Sequence, residues 1–295
     1  MSQTVSPATG KPYGVQRACA VLSFARSSFY ACQAAPSPKA GGRRGPKPKW
    51  TDEQLLAFII DDLARSVFHG EGHRKVWARL RIMDGVRVSR KRTLRVMREN
   101  NLLSPHRPRA KTASDHKGEI ITDEPNLMWG ADGSKILTVD EGWVWLFAAL
   151  EHWNSECLGW HVSKAGTRFQ ALEPIAMALG QVLGGVGFLV ARGLKLRMDH
   201  GSQYTADDFR NQIKFWGMAP SYAFIEQPQT NGVAERFFRT LKEQAIYGRV
   251  FKNAEEVRQA VAGFVESYNS SWRLERLGYM SPLEYRQAYL TRKAA

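Results

Sequence analysis

Residues 127–163 read LMWGADGSKILTVDEGWVWLFAALEHWNSECLGWHVS, and this stretch decides the fold. Two apolar, aromatic-rich runs, 127–139 and 143–153, flank the turn Asp140-Glu141-Gly142 and predict a β-hairpin. Residues Cys157–Ser163 predict a third strand. Farther on, Phe169 to Leu183 reads as a helix, followed by a Gly-rich loop. Leu194 to Met198 is a short strand ending on Asp199-His200-Gly201. Thr205 is placed to cap a helix through Phe215, and Pro220–Ile225 is a fifth strand. A long helix is predicted from near Asn231 to about Tyr247, and another from Asn253 to Tyr268. An antiparallel start that feeds parallel crossovers implies an α/β fold on a five-stranded mixed sheet with flanking helices.

Three carboxylates fall at telling places in this pattern. Asp132 lies within the first strand, Asp199 at the end of the fourth, and Glu235 just inside the long helix. Sites in open α/β sheets gather where strand ends meet crossover turns, which would bring the three together. Magnesium takes oxygen ligands and keeps several waters, so a few acids suffice to hold it. Two such ions activate an attacking oxygen and stabilise the leaving oxygen at a phosphodiester. The gap of 35 residues between Asp199 and Glu235 is weak evidence alone. With 11 Asp and 17 Glu in the chain, about 0.6 such pairs arise by chance. The local context is stronger. Asp199 is followed by His200-Gly201-Ser202-Gln203-Tyr204, a tight turn whose polar groups are placed to reach a nucleic-acid strand. Glu235 follows the flexible run Gln229-Thr230-Asn231-Gly232. Lys242 lies two helical turns beyond Glu235, with Arg239 between them. Cations on the carboxylate face suit a DNA phosphate, although taken alone they read equally as a helical ion-pair ladder.

Charge divides the chain. Through residue 120 there are 23 Lys or Arg against 9 Asp or Glu, and from 121 onward 19 against 19, so the whole net charge of +14 lies at the N-terminal end. A one-ended surplus implies a nucleic-acid-binding region joined to a neutral domain. Residues 11–32 read as two short helices, the shape of a helix-turn-helix or of a plain helical hairpin. Pro and Gly break residues 34–49. Thr51 and Gln54 then form a capping box for a helix with Leu55, Leu56, Phe58, Ile59 and Leu63 on its apolar face. A second helix is expected at about 72–83. A third, capped by Ser89, carries Arg90, Lys91, Arg92 and Arg95, with Leu94 and Met97 facing a core. Such a basic helix fits a major groove or its phosphates, or else is a solvated face. The expected domains are a helix-turn-helix at 1–33, a basic linker at 34–50, a second helix-turn-helix at 51–104, a linker at 105–120, a catalytic core at 121–272 and a tail at 273–295.

Three cysteines without a CxxC pair argue against disulfides or a zinc knuckle. His69 and His73, flanked by Gly70 and Gly72, read as a loop rather than a metal site. Apolar runs such as Phe188–Ala191 are far too short for a membrane span, and the polar N-terminus lacks an apolar signal core. No membrane association and a cytoplasmic location, at the nucleoid when DNA is bound, are the expectation.

The motifs jointly resemble a known family. Trp129-Gly130-Ala131-Asp132, Asp199-His200-Gly201-Ser202-Gln203-Tyr204 and Asn231-Gly232-Val233-Ala234-Glu235-Arg236-Phe237, with Lys242, are similar to the integrase core of bacterial insertion-sequence transposases of the OrfB type. These are Asp-Asp-35-Glu enzymes of the retroviral-integrase superfamily. Gly70 to Trp77 and Val88 to Arg92 resemble their N-terminal helix-turn-helix, and Leu277 to Tyr285 their C-terminal tail. One departure is Gly133-Ser134, where many relatives have a small residue and Thr. The resemblance implies a ribonuclease-H-like core, with Asp132, Asp199 and Glu235 catalytic and holding magnesium or manganese. It implies strand transfer by a 3′-hydroxyl at a mobile element's terminal inverted repeats, into target DNA, by a homo-oligomer. It also implies that many relatives act as a fusion with an upstream helix-turn-helix protein. The candidate DNA contacts are Lys242, Arg239, His200, Gln203, Tyr204, Arg90, Lys91, Arg92 and Arg95. Two other readings are a DNA-binding regulator that has lost catalysis and a nuclease that hydrolyses without joining. The intact acid set disfavours the first.

Overall fold

Alternating side chains give the sheet two buried faces. In the computed structural model, which describes residues 3–33, 49–105, 120–222 and 231–294, strand β1 is Met128–Thr138, β2 is Gly142–Glu151 and β3 is Cys157–Ser163. Along β2, Val144, Leu146, Ala148 and Leu150 point into one core while Phe147 and Ala149 point into another, the two-residue period of a pleated strand. A sheet covered on both faces needs helices on both, and the chain supplies them. Helix α6 (Arg168–Leu183) and α8 (Asp207–Phe215) cover one face. Helix α9 (Gly232–Leu241), a π turn at Lys242–Ile246 and α10 (Ala254–Ser271) cover the other.

The strand order is β3-β2-β1-β4-β5, with β4 at Lys195–Met198 and β5 at Ala219–Tyr222. The first three strands pair antiparallel, and β4 and β5 join parallel to β1. This is the mixed sheet expected from the sequence. The hairpin turns at Gly142, whose φ of 67° suits a residue without Cβ.

Gly159 decides how closely α6 approaches β3. A Cβ there would stand 2.1 Å from the Pro174 carbonyl oxygen, which is backbone and has no room to yield. Gly159→Ala is expected to cost about 3 kcal/mol through overpacking, read as a lower midpoint in urea unfolding. An unchanged midpoint would contradict this packing.

Three expected features differ in detail. Thr205 does not cap the helix of residues 207–215. It closes a one-turn helix, α7 (Ser202–Thr205), with its hydroxyl 3.3 Å from the Gly201 carbonyl, and Ala206 holds the cap position instead. Asp207 and Asp208 supply negative charge to the first turn of α8 without a capping side chain. The single long helix expected at 231–247 is α9 followed by the π turn, in which the Tyr247 amide reaches the Lys242 carbonyl at 2.7 Å. The tail holds a helix, α11 (Pro282–Ala294). Tyr285 and Tyr289 rest on Trp153, and Arg286 pairs with buried Glu156 at 2.5 Å. The expected fifth strand reaches Tyr222, and its remaining residues lie outside those described, as do most of the two linkers and Gln229-Thr230.

The chain divides into two units, 1–51 and 52–295. The first carries α1 (Gly14–Val21) and α2 (Arg26–Gln33), where two short helices were expected. In the second, α3 (Asp52–Arg65), α4 (His73–Ile82) and α5 (Arg90–Glu99) precede the sheet. Ser89 caps α5 as anticipated, its hydroxyl accepting from the Arg92 amide at 3.2 Å. Thr93, Val96 and Met97 are the buried side of α5, while Leu94 is half-buried. Arg79 of α4 forks onto Asp62 of α3 at 2.8 and 2.7 Å and also reaches Glu71. These helices rest on the core: Phe68 meets Trp272 edge-on, and Gln244 brackets the His69 backbone with bonds of 2.8 and 2.9 Å.

Candidate active site

Strand periodicity places Asp132. Trp129 and Ala131 face the α6 core and Ile136 faces the α9 core, so even-numbered residues of β1, Asp132 among them, are on the α9 side. Leu196 and Met198 of β4 face the α6 core, and Asp199 follows at the strand's end beside β1. Its Oδ1 accepts from the Gly201 amide at 2.9 Å, which fixes the turn that leads into α7. Glu235 is exposed on the first turn of α9. The three acids come from a strand interior, a strand end and a helix start.

Asp199 and Glu235 both lie near enough for their charges to act on Asp132. Burial pushes the Asp132 carboxyl up to about 7; the charges of Asp199 and Glu235 push it the same way, while the Gly133 amide and Lys242 oppose them. The Gly133 amide donates to Asp132 Oδ1 at 2.8 Å. Partial desolvation of the Glu235 carboxyl, despite the residue's exposure, holds it above its ordinary value, against the pull of Arg239 and Arg236. Lys242, the first residue of the π turn, is half-buried and acts on Asp132, whereas Arg239 is exposed.

The donor set fits a hard divalent ion. All three groups offer oxygen, and a cation would offset the burial and the neighbouring negative charges that hold the Asp132 carboxyl up. Among the described residues, no three His, Cys, Asp or Glu side chains stand converged on one point as a finished cage. The acids are gathered rather than locked.

The remaining expected contacts are scattered. His200 is exposed and stacks on Tyr222, ring centres 5.3 Å apart. Gln203 is half-exposed on α7. Tyr204 differs from expectation: it is 3% exposed, packed edge-on against Phe209, and not presented to solvent for a DNA contact. Burial first, then the charges of Asp132 and Asp199, push its hydroxyl well up. On α5, Lys91 is exposed, but Arg92 and Arg95 clamp Asp52 at 2.7 and 2.6 Å, and Arg90 pairs with Glu275 at 3.2 Å. The basic face of α5 is thus partly neutralised by acids distant in sequence. Gly133 is forced: a Cβ would lie 2.7 Å from the Phe147 ring, which accounts for glycine at that place.

Comparison with known proteins bears on the domains that carry these residues. Models described as "Integrase core domain" match residues 122–228 and 235–290, and one described as "HTH-like domain" matches 51–110. Transposase InsD for insertion element IS2A/D/F/H/I/K of Escherichia coli is 28% identical over 280 residues, covering 92% of this chain and 91% of that protein. The chain carries an integrase core behind an HTH-like domain, and over most of its length it is similar to insertion-element transposases. An uncharacterized 48.2 kDa protein of insertion element IS2A, also from Escherichia coli, is 27% identical over 287 residues, and the chain spans 66% of its length. Among solved structures, the catalytic core domain of BIV integrase is 22% identical with a TM-score of 0.40, covering 57% of this chain and 99% of that one. The HTLV-2 integrase catalytic core domain in complex with magnesium is 14% identical with a TM-score of 0.40, covering 55% and 95%. The family is one of polynucleotidyl transferases, and its integrase core coincides with the mixed sheet described above. No described helix is long and apolar enough to cross a membrane.

Proposed function

We propose that this transposase cleaves DNA strands at the ends of a mobile element and joins them to target DNA, with Asp132, Asp199 and Glu235 as its catalytic carboxylates. The observation that carries the reading is the placement of Asp132 within β1, Asp199 just past the end of β4 and Glu235 on the first turn of α9, with the charges of Asp199, Glu235 and Lys242 all acting on Asp132. Asp132, Asp199 and Glu235 would hold magnesium or manganese, two ions in all, which when bound activate the attacking oxygen and stabilise the leaving one. The chain's own groups do the rest. Asp132 gives up its proton to become a ligand, so its raised value makes loading depend on pH. Lys242 and Arg239 hold the phosphate against the acids and orient it for in-line attack. His200 and Gln203, at the mouth of the Asp199 turn, flank the strand.

The division of labour follows the domain limits. Residues 1–33 and 51–104 bind DNA, 34–50 and 105–120 link, 121–272 catalyse, and 273–295 brace the core. The substrate is double-stranded DNA, both terminal inverted repeats and target, engaged by a homo-oligomer. An upstream helix-turn-helix protein joins it as a fusion or partner.

Asp199→Asn is expected to abolish cleavage and joining on labelled terminal-repeat DNA with magnesium while leaving DNA binding intact. Unchanged activity would overturn the assignment, and cleavage with no joined product from the parent would favour a hydrolytic nuclease. Exposed Lys91 tests the helical domain. Lys91→Ala is expected to weaken DNA binding alike across sequences and to lower the salt slope by about 1. A slope identical to the parent's would remove α5 from the interface.

A further inference from the structure

Asn231 stands at the N-cap of α9, a position where asparagine ordinarily bonds back to the first-turn amides. It makes no such bond. Its side chain turns into the protein, 4% exposed, and Nδ2 donates to the Ala131 carbonyl, 3.4 Å away on β1. The place is specific. The β1–β4 ladder ends at Gly130 with Arg197, so Asn231 takes up the carbonyl just past the last paired residue. Ala131 immediately precedes Asp132, and Asn231 itself lies four residues before Glu235.

Gly130 makes the approach close. A Cβ on it would lie 3.2 Å from Asn231 Oδ1 and 3.0 Å from His152 Nε2. His152 is fully buried, with Nδ1 2.7 Å from the Ile120 carbonyl. Asn231 Oδ1 is buried with no hydrogen-bond partner among the described residues. A lone acceptor kept out of water is costly, and a structure needing only a cap has no use for it. The orientation is dictated by the donor end, which reaches the strand.

We infer that Asn231 is a positioning residue, fastening the first turn of α9 to β1 beside Asp132 and so fixing where Glu235 stands relative to Asp132. This rests on reading those two acids as metal-holding carboxylates. Asp is as good a cap as Asn but has no hydrogen to give to a carbonyl. A capping role therefore tolerates Asn231→Asp, and a positioning role does not.

The test uses the full chain and two readouts: Mn²⁺ affinity of the DNA-free protein, and kcat and KM for cleavage of terminal-repeat DNA. Asn231→Ala and Asn231→Asp are both expected to weaken Mn²⁺ binding about tenfold and to lower kcat about tenfold, as lost outer-shell contacts do. KM for DNA should stay unchanged, with Asn231→Asp no milder than Asn231→Ala. Parent-like Mn²⁺ affinity and kcat in Asn231→Asp, while Asp132→Asn loses both, would overturn the proposal. Should Asp132→Asn itself keep both, the reading of the carboxylates falls and this role with it. Gly130→Ala pushes on the Asn231 side chain, and on His152 beside it, from the strand side while leaving residue 231 itself unchanged. It decides the matter on the same readouts if Asn231→Asp does not fold, parent-like values again overturning the proposal.

Discussion

Asp132→Asn is expected to lower cleavage and joining by at least about a thousandfold and at the same time to make the metal-free protein more stable above pH 7. The two effects have one origin. The folded protein holds the Asp132 carboxyl near 7, against an ordinary value of 3.8, because burial and the charges of Asp199 and Glu235 disfavour ionisation. Between those pH values the folded state binds a proton that the unfolded state has released, so stability falls as pH rises through the window. The full cost is present above about 7 and absent below about 4. Asn neither ionises nor repels its neighbours, so the variant should melt at the parent's temperature near pH 4 and progressively above it toward pH 8, both in chelator. Equal melting temperatures at pH 8 would show that Asp132 carries no such strain. Metal loading has the opposite dependence: affinity for Mn²⁺ should fall as pH drops through about 7, because the ligand must first lose its proton.

The second large effect is structural and lies far from the acids. Arg79 forms the salt bridge to Asp62, and it serves Glu71 as well. Asp62 and Glu71 are 4% and 5% exposed. Arg79→Met would leave two carboxylates in a poorly solvated place, with Glu71 keeping Lys75 at 3.4 Å and the Ser66 hydroxyl at 2.7 Å. Removing one partner of a buried charge group costs about 3–5 kcal/mol, which lowers the melting temperature by roughly 10 °C in a chain of this size. The double variant Asp62→Leu with Arg79→Met should recover part of the loss, since one stranded charge is then gone. A single variant that melts with the parent would show that the cluster contributes nothing to the docking of α3 on α4.

Much of this was legible in the sequence where a feature repeats locally. The hairpin of β1 and β2 is written in alternating side chains around one Gly-bearing turn, and β3 in a short β-rich run of matching limits. That Asp132 lies within a strand and Glu235 at a helix start was readable from local pattern alone. What escaped depends on partners distant along the chain. Arg92 and Arg95 read as free basic groups because Asp52, some forty residues away, is not visible as their partner. Tyr204 read as a surface group within a polar turn, yet α7 and α8 fold it inward onto Phe209. The tail gave no strong helical signal because its anchor is Trp153, more than a hundred residues earlier. Asn231 stood in a recognised motif as part of a loop and cap, and only the bond to Ala131 shows a different use. The family resemblance supplied joining as distinct from cutting, which no spacing of acids encodes.

The central claim is that Asp132, Asp199 and Glu235 form one metal centre. Anomalous diffraction from crystals of the chain grown with Mn²⁺ tests it most directly. The prediction is a peak within roughly 2 Å of carboxylate oxygens of both Asp132 and Asp199, with Glu235 turned toward it from α9 and the peak lost in Asp199→Asn. Mn²⁺ bound elsewhere, with these carboxylates bare at saturating metal and neutral pH or above, would contradict it.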